Sequence, residues 1–359
     1  MSWTDCDLGD VVTLKRGHDL PNGSRIDGVV PVVSSSGITG WHHEAKAEPP
    51  GVVTGRYGTI GEVFYLDRPY WPLNTALYAI DFHGNSPRFV AYFLRNQLKN
   101  YQSEKAAVPG VDRNVLHKIK VRCPDPQSQE RIVSVLLAYD DLIENNLRRI
   151  GLLEQAARLL YREWFVQFRF PGHETAKFVD GLPEGWERKP IGEIWSISYG
   201  KNLPTSKISE TGKFPVHGAD SIIGYYDQKN VDERLCLITC RGNGSGNVRR
   251  TFGPTFVTNN CFVLRPNYRA DELHFHFATN AMTVLKLQDM RTGAAQPQLT
   301  LAGIAHVRLS LPPSNLLLRY NEIVDRQIDL SDALRRQNAQ LTRARDLLLP
   351  RLMDGRIPL

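Results

Sequence analysis

The longest regular stretch of the sequence is QSQERIVSVLLAYDDLIENNLRRIGLLEQAARLLYREWF, residues 127–165. It contains no proline, and its first glycine is Gly151. Apolar residues recur at alternating steps of four and three, at Ile132, Leu136, Tyr139, Ile143, Ile150, Leu153, Ala157, Leu160 and Trp164. That spacing predicts the seam of a coiled coil, in which Asn146 is a polar residue that fixes the register. At ~1.5 Å per residue the helix would be about 60 Å long.

Composition narrows the class of protein. The chain has 359 residues, 23% of them charged, and a net charge of +6, which favours a polyanionic partner without proving one. No apolar run approaches the ~20 residues of a membrane span, so we expect no membrane contact. Five scattered cysteines and a polar N-terminus predict a reduced, cytoplasmic location. Cys236 and Cys240 are close together, but His217 and Cys261 are too isolated to complete a zinc site, so we predict buried cysteines and no metal.

The sequence repeats itself. LGDVVTLKRGHDLP (residues 8–21) aligns with IGEIWSISYGKNLP (residues 191–204), and GRYGTIG (residues 55–61) aligns with CRGNGSG (residues 240–246). These alignments pair Trp41 with Tyr225 and Arg56 with Arg241. The long helix also recurs, because residues 140–160 align with residues 328–349. The chain is therefore one unit written twice, a globular domain followed by a long helix.

The repeat divides the chain into five segments. They are a first domain (residues 1–126), a long helix (127–168), a linker rich in glycine and proline (169–190), a second domain (191–313) and a second long helix (314–359). Within each domain, short runs typical of β-strands, such as GVVTG and LCLITC, lie between glycine-rich turns. An amphipathic helix follows them, at residues 87–98 and 271–282. This pattern predicts an α+β fold.

The second long helix has an apolar stripe of its own, made of Ile323, Leu330, Leu334, Leu341, Ala344 and Leu348, with polar seam positions at Gln327 and Gln337. We predict that the two helices pair antiparallel around a pseudo-two-fold axis. The pairing residues are Leu136, Tyr139, Ile143, Asn146, Ile150 and Leu153 of the first helix and Leu330, Leu334, Leu341 and Leu348 of the second. A pseudo-symmetric protein of this kind suits double-stranded DNA with two separated half-sites.

No motif in the sequence predicts catalysis. Gly242, Gly244 and Gly246 resemble a nucleotide-binding loop, but no acidic residue follows at the distance a ribose contact needs, and we favour a tight turn between strands. The Pro-Pro pairs do not fit an amino-methyltransferase motif, and no phosphate-binding loop is present. We therefore predict no catalytic residue and no bound cofactor in this chain.

Reading DNA requires cations for phosphates and polar side chains that reach base edges, and glycine-flanked loops bring such side chains close. The candidates in the first domain are Ser34, Ser35, Ser36, Trp41, His42, Arg56, Tyr57, Thr59, Lys105 and Arg113. Those in the second are Lys201, Lys207, Tyr225, Arg241, Asn243, Ser245, Asn247, Arg249, Arg250, Arg291 and Gln296. Each could instead be a solvated surface residue. Arg56 and Arg241 could each form a structural salt bridge that is common to both copies, and Trp41 and Tyr225 could be core aromatics.

The tandem unit, the YREWF exit of the first helix, the FPGHE and DGLPEGW segments and the LLLPRLMDGRI terminus resemble the specificity (S) subunit of type I restriction-modification systems. The resemblance implies two tandem α/β target recognition domains separated by two long antiparallel helices that set the spacing between DNA half-sites. It also implies docking of two methyltransferase (M) subunits, which would bind S-adenosylmethionine, and later of restriction (R) subunits. The alternatives are a coiled-coil interaction protein without sequence-specific DNA binding and a stand-alone enzyme.

Overall fold

A computed structural model describes residues 2–57, 61–99, 111–293 and 297–359. The predicted DNA contacts at Thr59, Lys105 and Gln296 lie outside these residues. The chain divides into two compact units. The first combines residues 1–145 with residues 337–359, and the second comprises residues 146–336.

The described residues of the first unit form three small sheets. β1 (Trp3–Asp7) pairs antiparallel with β9 (Lys120–Pro124). A four-stranded sheet has the order β2 (Thr13–Arg16), β8 (Ala76–Asp81), β5 (Gly51–Gly55) and β6 (Val63–Leu66). A three-stranded sheet has the order β4 (Gly37–His42), β3 (Val30–Ser34) and β7 (Trp71–Pro72). The helices of this domain are α1 (Leu8–Val11), α2 (Pro87–Leu98) and α3 (Arg113–His117).

The second unit repeats this arrangement strand for strand. After a short hairpin of β10 (Phe178–Val179) and β11 (Leu182–Pro183), β12 (Glu187–Pro190) pairs with β20 (Arg308–Leu311). The four-stranded sheet has the order β13 (Trp195–Tyr199), β19 (Cys261–Pro266), β16 (Cys236–Thr239) and β17 (Val248–Arg250). The three-stranded sheet has the order β15 (Ile222–Tyr226), β14 (Phe214–His217) and β18 (Phe256–Val257). The helices are α5 (Ile191–Ile194), α6 (Phe275–Val284) and α7 (Leu301–Ala305). The predicted α+β fold and internal repeat are confirmed.

Apolar helix residues belong to the hydrophobic core of each unit. In the first unit, Phe89 and Phe93 of α2 are fully buried and stack with their ring centroids 5.4 Å apart. Repeated glycines occur where the backbone approaches closely. A Cβ on Gly17 would meet the carbonyl oxygen of Leu73, and one on Gly200 would meet that of Thr258. The aligned glycines of the two copies therefore perform the same structural task.

Two long helices complete the fold. α4 extends over Pro126–Tyr161 and continues as a π-helical turn, Arg162–Val166, and α8 extends over Ser314–Met353. In the first unit the Asn338 amide donates to the Ile143 carbonyl (3.1 Å), and Arg345 Nη1 lies 2.6 Å from Asp140 Oδ1. As residue numbers fall along α4 they rise along α8, so these segments are antiparallel.

The same antiparallel order holds within the second unit. Arg335 Nη2 lies 2.6 Å from Glu154 Oε1, and farther along both helices the rings of Tyr161 and Tyr320 lie 6.3 Å apart. Every predicted seam residue of α4 is buried or half-buried, and Asn146 is 1% exposed. The apolar face of α4 that the spacing indicated therefore lies inside the fold.

The predicted stripe of α8 is partly wrong. Leu330 is 42% exposed and Ile323 is 38% exposed, and Ala344 and Gln337 are also exposed, whereas Leu334 is buried and Leu341 and Leu348 are half-buried. The buried stripe instead contains Leu317, Tyr320, Val324, Ile328, Ser331, Leu334 and Asn338. Its polar members interrupt the apolar pattern, which is why the neighbouring Ile323 and Leu330 looked like seam positions.

The segment between the copies is more ordered than a linker. β12 lies within residues 169–190 but is a strand of the second domain. Leu182 and Trp186 are buried there, and Phe165 of the π-helical turn lies against Trp186 with 5.9 Å between ring centroids. Aromatic packing therefore fixes this segment to the end of α4 within the second unit.

Candidate nucleic-acid interface

The glycine-rich segment of the second domain forms the turn between β16 and β17, as predicted. Gly242 and Gly246 adopt positive φ angles (82° and 89°), and the Gly242 amide donates to the carbonyl of Pro297 (3.1 Å). Arg291 Nη1 donates to the carbonyl of Asn243 (3.4 Å). The turn thereby gathers four exposed polar side chains, those of Arg241, Asn243, Asn247 and Arg291. We call these four residues the turn cluster.

Arg241 is the most directly presented cation of the turn cluster. Its guanidinium lies 5.8 Å from the ring centroid of Tyr199, which is itself 46% exposed. An arginine held over an aromatic ring keeps its N–H groups at the ring edge, where they are available to an outside acceptor. The geometry suits bidentate donation to a base edge or a phosphate.

The predicted equivalence of Arg56 and Arg241 is wrong by one residue. Val53 opposes Tyr78 in the first copy, and Leu237 opposes Val263 in the second. Because the two sheets have the same strand order, this register makes Val53 equivalent to Leu237 and, three residues later, Arg56 equivalent to Cys240. The amide of Val111 donates to the Arg56 carbonyl and that of Leu299 to the Cys240 carbonyl, which gives the same match. The counterpart of Arg241 is Tyr57, which is 41% exposed. Between the strand and the shared glycine, the second copy has one residue more than the first. An alignment without a gap at this place therefore paired Arg56 with Arg241 and not with Cys240.

Trp41 and Tyr225 are equivalent, as predicted. Trp41 opposes Pro31 on β3, and Tyr225 opposes Pro215 on β14. Both lie on edge strands of the three-stranded sheets and are 49% and 40% exposed, so neither is a core aromatic. Lys207, also exposed, ends the 3₁₀ turn that precedes Ser209, and Ser209 pairs with Tyr225. A second exposed group on this domain therefore combines an aromatic ring and a cation.

Four predicted DNA contacts are buried, and the structure gives them internal roles. The Ser245 hydroxyl is bonded to the carbonyls of Gly242 and Pro297 (2.7 and 2.9 Å) and is 0% exposed. Ser34 accepts from the Ser36 amide (3.1 Å), and His42 Nδ1 accepts from the amide of Ile26 (3.1 Å). Because their polar atoms are used inside the fold, we leave Ser34, His42, Ser245 and Arg250 out of the proposed interface.

Arg250 is the centre of a buried ion-pair network in the second unit. Its Nη2 lies 2.8 Å from Asp332 of α8 and 3.5 Å from Glu154 of α4, and Glu154 also pairs with Arg335. Burial lowers the pKa of Arg250, while the two carboxylates act in the opposite direction. Nearby His217 is 3% exposed, and burial together with the charge of Arg249 lowers its pKa to about 4, so this histidine is neutral at pH 7. This network is structural.

The other candidates differ in exposure. Ser36, Arg113, Lys201 and Lys207 are exposed, whereas Ser35, Arg56 and Arg249 are half-buried. Arg249 Nη2 donates to the carbonyl of Ala219 (2.8 Å), and the Arg56 guanidinium lies 4.5 Å from the Tyr57 ring centroid. These contacts leave only part of each guanidinium available.

Two exposed residues beside the turn cluster were not among the predicted DNA contacts. Tyr199 lies beneath Arg241, and Gln298 pairs with Arg241 in an isolated bridge. The signal for Tyr199 was its place directly before Gly200, where the first copy has the exposed Arg16 before Gly17. Gln298 had no sequence signal of its own.

The predicted cysteine environment is confirmed for the close pair. Cys236 and Cys240 are 1% and 0% exposed, and burial raises the pKa of the Cys236 thiol to about 12 and that of Cys240 to about 11. All five cysteines are free thiols. Among the described residues, none of the helices is both long and apolar enough to cross a membrane.

The fold and surface define a class of protein with two copies of one α+β domain, each joined to a long helix and each bearing exposed polar and aromatic side chains. The family model "Type I restriction modification DNA specificity domain" matches residues 2–155 and 183–343. The chain belongs to this family, so the resemblance seen in the sequence is confirmed.

Relatives cover much of the chain at low identity. The specificity subunit of type I restriction enzyme MjaIX from Methanocaldococcus jannaschii is 25% identical over 272 residues, 69% of this chain and 63% of the relative. The match therefore spans less than two thirds of that protein. A putative type I specificity subunit, S.MgeORF438P from Mycoplasma genitalium, is 22% identical over 98% of this chain and 94% of its own length.

A solved structure has the same fold. The crystal structure of a type I restriction-modification S subunit from M. genitalium covers 98% of this chain and 96% of its own, with a TM-score of 0.59 and 19% identity. At this identity the likeness concerns the fold alone. The family match favours the specificity-subunit interpretation over a generic coiled-coil interaction protein.

Proposed function

We propose that the chain is the sequence-specific DNA-recognition subunit of a type I restriction-modification complex. Each globular domain reads one half of a bipartite, asymmetric site in double-stranded DNA, and the long helices set the spacing between the halves. The chain is not itself a catalyst. Two methyltransferase subunits dock on it and supply S-adenosylmethionine-dependent methylation, and restriction subunits join the full complex.

One observation carries this proposal. The two domains have the same strand order, but exposed positions that are equivalent in the two copies differ in chemistry: Arg16 corresponds to Tyr199, and Tyr57 corresponds to Arg241. Copies kept alike in the core and different at the surface suit two different half-sites. A repeat with a purely structural role would not require hydrogen-bond donors at the turn of one copy and an aromatic side chain at the same turn of the other copy.

The test of half-site reading uses the turn cluster. The complex of this chain with its methyltransferase subunit is given a DNA library in which each half-site is varied separately, and methylation or retardation of each sequence is measured. Arg241→Ala should weaken discrimination at one half-site by ~1–3 kcal/mol and leave the other unchanged. Tyr57→Ala, its matched counterpart, should affect only the other half-site.

Three other outcomes would contradict parts of the proposal. No sequence preference in the wild-type complex would remove sequence-specific recognition altogether. Uniform weakening on all sequences by Arg241→Ala, with a reduced dependence on salt, would mean that Arg241 contacts phosphate only. Methylation by the isolated chain would contradict its non-catalytic role.

A further inference from the structure

Two histidines and an aspartate converge in the second unit at a place that DNA reading does not use. His274 is the N-cap residue of α6, His276 lies within the first turn of that helix, and Asp325 projects from α8. The three ligand atoms lie within 4.8 Å of one another. His274 Nδ1 is 3.2 Å from Asp325 Oδ2, and His276 Nδ1 is 3.4 Å from Asp325 Oδ1.

In both rings the second nitrogen, Nε2, donates a hydrogen bond. His274 Nε2 lies 3.0 Å from the carbonyl oxygen of Asp271, which can only accept. His276 Nε2 lies 3.0 Å from Asn321 Oδ1, and the Asn321 amide nitrogen donates to the Glu272 carbonyl (2.8 Å). The amide orientation of Asn321 is thereby fixed with its oxygen towards His276. Both imidazoles therefore carry a proton on Nε2.

In each ring Nε2 carries the proton, and Nδ1 is the nitrogen that faces the Asp325 carboxylate. With the proton on Nε2, the Nδ1 atom of a neutral imidazole is the one that can bind a metal ion. His276 is 1% exposed, and its Nδ1 is buried without a hydrogen-bond partner. A bound cation between these atoms satisfies all three at once. Ligating histidines in proteins characteristically donate their second ring nitrogen to a carbonyl or amide oxygen, as both do here.

The spacing suits zinc. Bonds of about 2.1 Å in a tetrahedral geometry place neighbouring ligand atoms about 3.4 Å apart. Nδ1 of His274 and Nδ1 of His276 each lie 3.4 Å from the same oxygen, Asp325 Oδ1, which agrees with that value. Two imidazoles and a carboxylate form a donor set that zinc accepts, with a fourth position left for water. His274 and Asp325 have side chains 33% and 39% exposed, so the fourth position has access to solvent.

Neighbouring cations have partners of their own. Arg234 Nη1 pairs with Asp329 at 2.9 Å, and Arg250 Nη2 pairs with Asp332 at 2.8 Å. The carboxylate of Asp325 therefore remains directed at the two histidines. These arginines raise the cost of adding a cation, but their charges are balanced locally.

The first copy lacks the cluster. The N-cap of α2 is Ser86, so Ser86 and Arg88 stand where the second copy has His274 and His276, and Leu137 of α4 stands where it has Asp325. Arg88 lies 3.6 Å from the ring centroid of Tyr65. The first copy thus has an arginine at the position of His276 and lacks the three ligands at these positions. The prediction of no metal considered mainly the cysteines and did not consider the HFH sequence.

We infer that His274, His276 and Asp325 bind one Zn²⁺ ion, which ties the start of α6 to α8 within the second unit. Asn321 is a positioning residue, because it holds the ring of His276 through Nε2. The site is structural and shares no residue with the turn cluster.

The full chain is prepared with the substitution Cys6→Ser and without a histidine tag, and it is dialysed against a chelator. Zn²⁺ alone is then titrated into it. Calorimetry should show one bound equivalent. Asp325→Asn, which preserves shape, should weaken binding by more than 100-fold, and Asn321→Ala by about 10–100-fold. Co²⁺ in place of Zn²⁺ should give the visible absorption of a tetrahedral site, and Asp325→Asn should abolish it.

Controls separate this site from others. His42, His43 and Glu44 are also clustered, so His43→Ala serves as the matched variant and should leave binding unchanged. His276→Ala removes a buried ring and can unfold the domain, whereas His274→Gln and Asp325→Asn act on partly exposed residues and keep the test decisive. Absence of Zn²⁺ binding by the wild-type chain, binding unaffected by both of these variants, or loss only in His43→Ala would each overturn the inference.

Discussion

Replacing Arg250 by methionine tests the buried ion-pair network of the second unit. Arg250 and Asp332 have side chains only 8% and 6% exposed, with 2.8 Å between their charged atoms. Removing one partner of a buried pair costs ~3–5 kcal/mol because the remaining charge stays desolvated. Arg234 lies 3.7 Å from Asp332 and partly compensates it, so we expect the lower end, about 3 kcal/mol.

The assay is thermal and urea unfolding of the full chain, following the transition that belongs to residues 146–336. A loss of about 3 kcal/mol in a unit of this size lowers its midpoint by ~6–12 °C. The double variant Arg250→Met with Asp332→Leu replaces both charges by apolar groups and should recover most of the loss. Arg169→Met removes an exposed partner of Glu163 and should change stability by less than about 0.5 kcal/mol.

The reasoning is refuted if Arg250→Met costs less than about 1 kcal/mol, because a solvated pair would behave in that way. It is also refuted if the double variant is as unstable as the single one. In that case the loss would come from packing of the arginine side chain against Phe252 and Phe275, whose ring centroids lie 4.9 and 5.7 Å from the guanidinium.

Three other predictions concern the backbone, pH and the helices. Gly200→Ala should destabilise the second unit by ~1–3 kcal/mol because the new Cβ meets backbone carbonyls. Gly151 has open space around it in α4, so Gly151→Ala should stabilise the protein by ~0.5–1 kcal/mol. Equal effects of the two variants in urea unfolding would contradict this prediction. Hydrogen bonds from the backbone amides of Ser128 and Ser2 lower the pKa of the Asp125 carboxyl. The stability that these bonds contribute is therefore present above the ordinary carboxyl pKa and is lost as pH falls through the lowered value. Asp125→Ala should therefore reduce stability at pH 7, with a difference that narrows in strongly acidic buffer; a constant difference would count against it. Inserting one heptad into α4 after Gly151, with a matching heptad in α8, should lengthen the gap in the methylated DNA site, and an unchanged gap would contradict the proposed spacing role.

The features that the sequence predicted well depend on local patterns. The runs GVVTG and LCLITC became β5 and β16, and the apolar seam of α4 is buried as its spacing indicated. The repeat was visible because aligned glycines are required at close backbone approaches, as at Gly17 and Gly200. Short-range sterics and helical periodicity are both properties of the sequence itself.

The misses have a different physical origin. Ser331 and Asn338 are buried in α8 through tertiary contacts, so hydrophobicity alone selected the exposed Leu330 instead. The match of Arg56 to Arg241 failed because strand register, set by long-range hydrogen bonds, differs by one residue from the glycine alignment. The cluster of His274, His276 and Asp325 joins residues about 50 positions apart, and only the folded unit brings them together.

The division of the first unit between two distant segments has a consequence for folding during synthesis. Leu349, Leu352 and Met353 belong to the same hydrophobic core as Leu136 and Phe93. Residues 146–336 separate the two segments, and at ~5–20 residues per second they occupy the ribosome for about 10–40 s. The domain that emerges first therefore waits with part of its core uncovered and is completed last, after the second unit has been made.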